Sequence, residues 1–254
     1  MEEMMMQELQ DILDVMVDME ESDSYDINGV KLPRVTRIVN TCNTNLWSLL
    51  QWSNRLGIAH KEYSAYMKKA SSMGTAIHKA IEDYITAGID TPKLNELADA
   101  SVNESILMAF DGFKIFWDRY KSTHNTKTIE VERKLHTPTY AGTMDLHIVE
   151  ADGTETIYDF KSSNHVQPHH FVQLAAYQHG LMYETGNQCN IKKVGILQLD
   201  KYKVCCNEFV LDLEIPDNAI YMERCWKAFC GMLYAYMNSL WIDKNFSTVL
   251  VGGS

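Results

Sequence analysis

Near residue 123 the apolar pattern of the chain changes period, and no other feature constrains its fold as much. Before that point, apolar residues recur at helical spacing in three blocks. The first is 45–56, ending at Gly57. The second is 61–87, with Met73, Ile77, Ala80, Ile81, Tyr84 and Ile85 on one stripe and a stop at Gly88, and the third is 94–122. After it come three strand-like runs, 128–136, 142–150 and 154–162. A helix opened by Pro168 runs to about 184, ahead of Gly186; strands over 193–199 and 204–213 and a closing helix over 217–241 complete the order. Helices, three strands, a helix, two strands and a helix describe an α/β chain whose mixed β-sheet is flanked by helices on both faces. Residues 24–32 read as a linker and 33–39 as a short extended entry.

A chain of 254 residues is long enough for one sizeable core. Its organisation reads as an acidic leader (1–26), a helical region bearing His78 (27–122) and a sheet-containing core (123–250), the last two forming one compact domain. The formal net charge of −11 argues against a nucleic-acid partner until its distribution is considered. The leader holds ten acidic residues and no basic ones, which leaves 24 acidic against 23 basic in the body. Within 31–69, Lys31, Arg34, Arg37, Arg55, Lys61, Lys68 and Lys69 face a single Glu62, interleaved with Trp47, Trp52, Tyr63 and Tyr66. Cations for phosphates and flat rings for bases suit a single-strand surface; a solvated helical face over an aromatic core accounts for the same residues equally well. In the leader, Leu9, Ile12, Leu13, Met16 and Met19 fall at helical spacing, as in an amphipathic helix that docks on the body or on a protein partner; a disordered tail is the alternative. The longest nearly apolar stretch, Phe229 to Met237, is far short of the ~18 residues of a membrane span. Six irregularly spaced cysteines suit a reducing compartment, so the expectation is a soluble, intracellular protein with no membrane association.

The chemistry concentrates on the second and third strand-like runs, Gly142-Thr-Met-Asp145 and Tyr158-Asp159-Phe160-Lys161, joined across Ala151-Asp152-Gly153. A two-residue Asp-Gly turn would set Asp145 opposite Phe160. A three-residue loop with Gly153 left-handed pairs 150 with 154 instead and sets Asp145 across from Asp159. Cβ atoms would then be ~4.5 to 5.5 Å apart, close enough for both carboxylates to hold one cation, with Lys161 on the same face. Oxygen ligands with positions left for water suit Mg²⁺ or Mn²⁺. The bland alternative is a pair of surface aspartates and a screened Asp159–Lys161 contact. His78, on the 61–87 helix with Gly74 one turn before it, could be a ligand beside a gap that admits substrate, or a satisfied core histidine. Glu132 could reach the same site or pair across strands. Gln173 and Tyr177, at i and i+4, share a helix face and could orient Lys161 or hold DNA backbone.

In this order, Gly74-Thr-Ala-Ile-His78, Glu132, Ala141-Gly-Thr-Met-Asp145, Asp159-Phe-Lys161-Ser-Ser and Gln173-Leu-Ala-Ala-Tyr177 resemble the PD-(D/E)XK nuclease superfamily and its RecB-like exonuclease branch. The segment Leu32-Pro-Arg-Val-Thr-Arg-Ile38 is similar to the entry of phage exonucleases and of the mitochondrial genome maintenance exonuclease. The resemblance implies a restriction-endonuclease-like sheet with an N-terminal helical arch, and a metal held by His78, Asp145, Asp159 and the Phe160 carbonyl. It also implies Lys161 as catalytic lysine. With it, Glu132 is expected to assist catalysis, and Gln173, Tyr177, Arg34 and Arg37 to face substrate. Met144 stands where the branch commonly has proline. Some relatives hold an iron–sulfur cluster, but Cys42 and the later cysteines, Cys225 and Cys230 among them, lack its tight spacing. The expected function is a Mg²⁺- or Mn²⁺-dependent exonuclease on single-stranded or end-frayed DNA in replication, recombination or repair, in the cytoplasm of a bacterial or phage-infected cell. An endonuclease or flap nuclease of the same fold, or a noncatalytic nucleic-acid-binding or assembly protein, are the alternatives.

Overall fold

The computed structural model describes residues 19–41, 46–94 and 99–251, the side chains of 46–49 and 247–251 excepted. The leader up to residue 18, Cys42 and the Trp47 ring lie outside the described residues. In chain order the elements are β1 (Ser24–Ile27), β2 (Val30–Pro33), α1 (Val35–Thr41), α2 (Leu46–Ile58), α3 (Tyr63–Ala87) and α4 (Ala100–Thr123). They continue with β3 (Thr126–His136), β4 (Ala141–Glu150), β5 (Glu155–Lys161), α5 (Pro168–Glu184), β6 (Ile191–Leu199), β7 (Cys206–Asp212) and α6 (Pro216–Val251). The expected architecture is present: a five-stranded sheet in the order β3-β4-β5-β6-β7, flanked by helices. Only β5 and β6 are parallel, because α5 carries the chain back between them; every other neighbouring pair is antiparallel. Among the described residues, no helix is long and apolar enough to cross a membrane.

Three expectations need correcting. The linker over 24–32 is a β-hairpin, with Ser24 paired to Pro33 and Ile27 to Val30 around Asn28 and Gly29. Both turn residues have positive φ, 55° and 84°, as a two-residue turn of mirror-image type requires; Asn-Gly is the dipeptide that tolerates it. The extended entry stops at Pro33, and Val35 already opens a helix. The closing helix runs ten residues beyond the expected 241, to Val251.

Two apolar cores sandwich the sheet. On one side Ile77 and Ile81 of α3 and Phe110 and Phe113 of α4 meet Leu146, Ile148, Phe160 and Leu197. On the other, Val35 and Ile38 of α1, Leu174 and Leu181 of α5 and Phe229 of α6 meet Met144, Ile157, Val194 and Ile196. Residues two apart on a strand should share a face. Met144 and Leu146 nevertheless join opposite cores, and so do Leu135 and Val131 on the neighbouring strand. The register pairs Val131 with Leu146 and Arg133 with Met144, so both strands change faces at one position, where Glu132 lies opposite Asp145. Glu132 takes a left-handed φ of 52°, which turns its strand over.

The packing of α4 gives a direct stability test. A Cβ on Gly112 would lie 2.7 Å from three backbone atoms of Cys205, which cannot swing aside. Gly112→Ala should cost roughly 1–3 kcal/mol or more by overpacking. Gly231 on α6 has nothing within 4 Å of its would-be Cβ, so Gly231→Ala should be neutral or stabilising. Urea unfolding of both variants checks the contrast.

Candidate metal centre

The β4–β5 loop decides what faces what. Gly153 has φ 83° and donates its N–H to the Glu150 carbonyl (2.9 Å), while the Glu150 N–H donates to the Thr154 carbonyl (2.9 Å). Ala151-Asp152-Gly153 is therefore a three-residue loop that starts the pairing at 150 and 154. The register continues through Leu146 with Tyr158, which aligns Asp145 with Asp159. Because Glu132 lies opposite Asp145 on the other side, three carboxylates from three adjacent strands occupy one row.

Each is positioned by its surroundings. Asp145 is buried, and its Oδ2 accepts the Phe160 N–H at 2.6 Å. Its Oδ1 lies 3.4 Å from His78 Nδ1, which is also 3.4 Å from Glu132 Oε1. His78 stands on the α3 stripe, and its ring meets the Phe160 ring edge-on at 5.5 Å, tying the helix to the strand that carries Asp159. Asp159 is 1% exposed. Its Oδ2 is 2.6 Å from Lys161 Nζ, and its Oδ1 accepts from Gln173 Nε2 at 3.0 Å. Gln173 accepts from Lys161 Nζ (3.2 Å) and donates to the Tyr177 hydroxyl (2.7 Å), so one amide fixes lysine, aspartate and phenol together. The helix carrying that amide is started by Pro168 at its first turn, where a missing N–H costs nothing.

Burial opposes a charge on His78, but Asp145 and Glu132 outweigh it and push its pKa up to about 10. Burial pushes the Asp159 carboxyl up to about 7; Lys161 opposes this and Asp145 adds to it. Burial also works against ionised Asp145, yet the charges of His78 and Lys161 and the Phe160 N–H hold it below the usual range. Lys161 is raised, Asp159 and Asp145 prevailing over burial.

His78, Glu132 and Asp145 each offer a ligand atom, and these atoms all lie within 4.8 Å of one another. Glu132 Oε1 and Asp159 Oδ2 are buried, and the groups that reach them are cationic: His78 Nδ1 at 3.4 Å and Lys161 Nζ at 2.6 Å. Clustered buried carboxylates are costly unless cations meet them, and carboxylate oxygens converging beside one imidazole are a ligand set that suits a divalent metal ion, so the residues present fit one. Such an ion must displace a proton from His78 and, below about pH 7, from Asp159. Affinity for Mn²⁺ should therefore rise about tenfold per pH unit for each proton released, more steeply below neutrality. Both groups have folded pKa values raised above their ordinary ones. They stabilise the metal-free protein at low pH and cease to as pH rises through about 7 and then about 10. Between about pH 5 and 9 the metal-free protein should lose stability from these two groups, and added Mn²⁺ should restore it increasingly. Calorimetric titration and melting at several pH values read both effects.

The predicted residues do not all converge. Asp145, Asp159, Lys161, Gln173, Tyr177, His78 and Arg34 line a cavity of about 190 Å³, and Glu132 meets it through His78, from a neighbouring cavity on the α3 side. Phe160 contributes its N–H and ring. Arg37 turns to Asp23 (3.2 Å) instead, and Lys69 to Asp99 (2.6 Å). Gly74 does not mark a required gap, since a Cβ there would sit an ordinary 3.6 Å from Ser162 Oγ. Gly142 does: its Cβ would fall 2.7 Å from the Tyr177 ring. Trp52 packs edge-on against Tyr63 and Tyr66, at 5.5 and 5.3 Å, rather than presenting a free platform. Sequence reasoning missed Tyr25 and Thr143, which also line the cavity; the Asn28-Gly29 pair between apolar residues was the available signal. A larger cavity, about 730 Å³, contains none of the predicted site residues and is lined by Glu150, Asp152, Lys192 and Glu208 among others. Converging donors, not volume, single out the smaller one.

No family model and no curated protein matches the chain. Among solved structures, it is similar to a protein from Eubacterium rectale provisionally named an exonuclease, at 14% identity and a TM-score of 0.41, over 70% of this chain and 68% of the other. It is also similar to the protein SSO0001, at 12% identity and a TM-score of 0.28, over 88% and 83% of the two chains.

Proposed function

We propose that this chain is a Mg²⁺- or Mn²⁺-dependent nuclease, an exonuclease that hydrolyses phosphodiester bonds of single-stranded or end-frayed DNA in replication, recombination or repair. One observation carries the reading: a row of three carboxylates, two of which converge with a histidine so that their ligand atoms lie within 4.8 Å of one another, and a half-buried lysine ammonium alongside. A divalent ion bound there would polarise a phosphoryl oxygen and make a bound water more acidic. His78, Glu132 and Asp145 are the residues that would hold it, with Asp159, turned toward Lys161, beside them. Lys161 keeps its proton, so its ammonium can donate to charge developing on phosphorus-bound oxygen. Gln173 limits where that ammonium can point, and Tyr177 holds Gln173.

The order of motifs noted in the sequence supports the same reading. End-labelled single- and double-stranded oligonucleotides, linear and circular, with Mg²⁺ or Mn²⁺, test it. Shortening of linear strands from an end is the expected result. Cut circles would mean an endonuclease, and no product on any substrate would leave a noncatalytic binding protein.

A further inference from the structure

We infer that Tyr25 is a positioning residue that holds the Arg34 guanidinium for a second phosphate of the bound strand, next to the one being cleaved. This rests on the nuclease reading above and concerns the same cavity.

The β1–β2 hairpin is fastened to the metal centre at two points. An isolated bridge aligns Arg34 with Ala141 at the start of β4. The Tyr25 hydroxyl bonds to Thr143 Oγ1 at 2.9 Å, two residues before Asp145. The guanidinium carbon of Arg34 lies 4.3 Å from the centre of the Tyr25 ring. Its Nε donates to the Ser24 carbonyl (3.2 Å) and its Nη2 to the Glu21 carbonyl (3.3 Å). One face and one edge are thus fixed, and Nη1 has no hydrogen-bond partner among the described residues.

Charge is the deciding point. Arg34, His78 and Lys161 are the basic residues that line this cavity. His78 faces Glu132 and Asp145, and Lys161 faces Asp159. Arg34 is within ion-pair distance of no carboxylate among the described residues; its partners are carbonyls and a ring, which satisfy N–H groups without cancelling the charge. A guanidinium keeps its proton at any working pH, and its planar fork matches phosphate oxygens. It enters from the hairpin side, whereas the metal ligand His78 enters from α3, so the guanidinium stands apart from the centre that would meet the phosphate being cleaved. If the Arg34–Tyr25 stack served only to fasten the hairpin, its loss would lower stability and leave binding alone.

The test combines cleavage kinetics with the salt dependence of binding for a fluorescent thymidylate 12-mer, binding being measured in EDTA. Arg34→Met should reduce the slope of log affinity against log salt by about 0.7, the value for one phosphate contact on a single strand. It should raise KM about tenfold or more, with a smaller change in kcat. Tyr25→Phe keeps the ring but frees it from Thr143, and should raise KM with the slope unchanged. Arg34→Lys should keep the slope and still raise KM, which separates the fork from the charge. Arg34→Met with wild-type slope and KM overturns the inference while the nuclease reading stands, and so does a lowered melting temperature with an unchanged slope. Absence of cleavage by the wild-type protein with any divalent ion removes both.

Discussion

Asp159→Asn and Lys161→Ala should each lower metal-dependent cleavage by about 10³-fold or more, with little change in oligonucleotide affinity measured in EDTA. The two act on different parts of one arrangement. Asparagine at 159 can still meet Gln173 but offers one neutral oxygen where Lys161 and a cation need charge. Alanine at 161 removes the ammonium and leaves Asp159 buried with only an amide beside it. Burial already pushes that carboxyl up to about 7, so the lysine variant should hold a proton on Asp159 to still higher pH. The pH profile of residual activity should move to the alkaline side in Lys161→Ala and lose that limb in Asp159→Asn. End-labelled single-strand degradation in Mn²⁺ across pH reads both. Retained cleavage in both variants would defeat the assignment.

Glu132 should show a reversal of the ordinary stability order. Its φ of 52° lies where a side chain is strained and glycine is not. Glu132→Ala and Glu132→Gly both remove the carboxylate, so their difference isolates the backbone. The glycine variant should be the more stable by about 1 kcal/mol, whereas glycine in a strand or helix interior normally trails alanine. Both should bind Mn²⁺ at least about 10- to 100-fold more weakly than wild type, a loss on the scale seen even for groups that only support a metal ligand. Urea unfolding without metal and calorimetry with it give the two numbers. Alanine more stable than glycine would mean that the left-handed backbone carries no strain, and unchanged Mn²⁺ affinity would remove Glu132 from the centre.

Much of this was legible from local rules. The helix that ends at Gly88 is there because that glycine takes φ 67°, and the Pro168 helix because proline fits the first turn. The register facing Asp145 with Asp159 followed from one loop length, since Gly153 could supply the left-handed residue that a three-residue turn needs. The rest depends on partners far away in sequence. Nothing near Glu132 announces its positive φ, which exists because two strands must pass from one core to the other. Arg34 and Arg37 look alike in the sequence; Asp23 takes one, and Tyr25 delivers the other to the cavity. Tyr25 lies in a stretch, 24–32, whose composition reads as a connector, although Asn28-Gly29 marks a hairpin there.

The change of faces at Glu132 and Asp145 has a mechanical consequence. His78 belongs to the α3–α4 layer and Gln173 and Tyr177 to the α5–α6 layer, so the centre straddles a seam between two separately packed halves. Slippage of either half would pull its own side chains out of line while leaving its interior intact. An ion gripped at the seam would work as a suture, and substitutions deep in either half should then weaken that grip long before they unravel the chain.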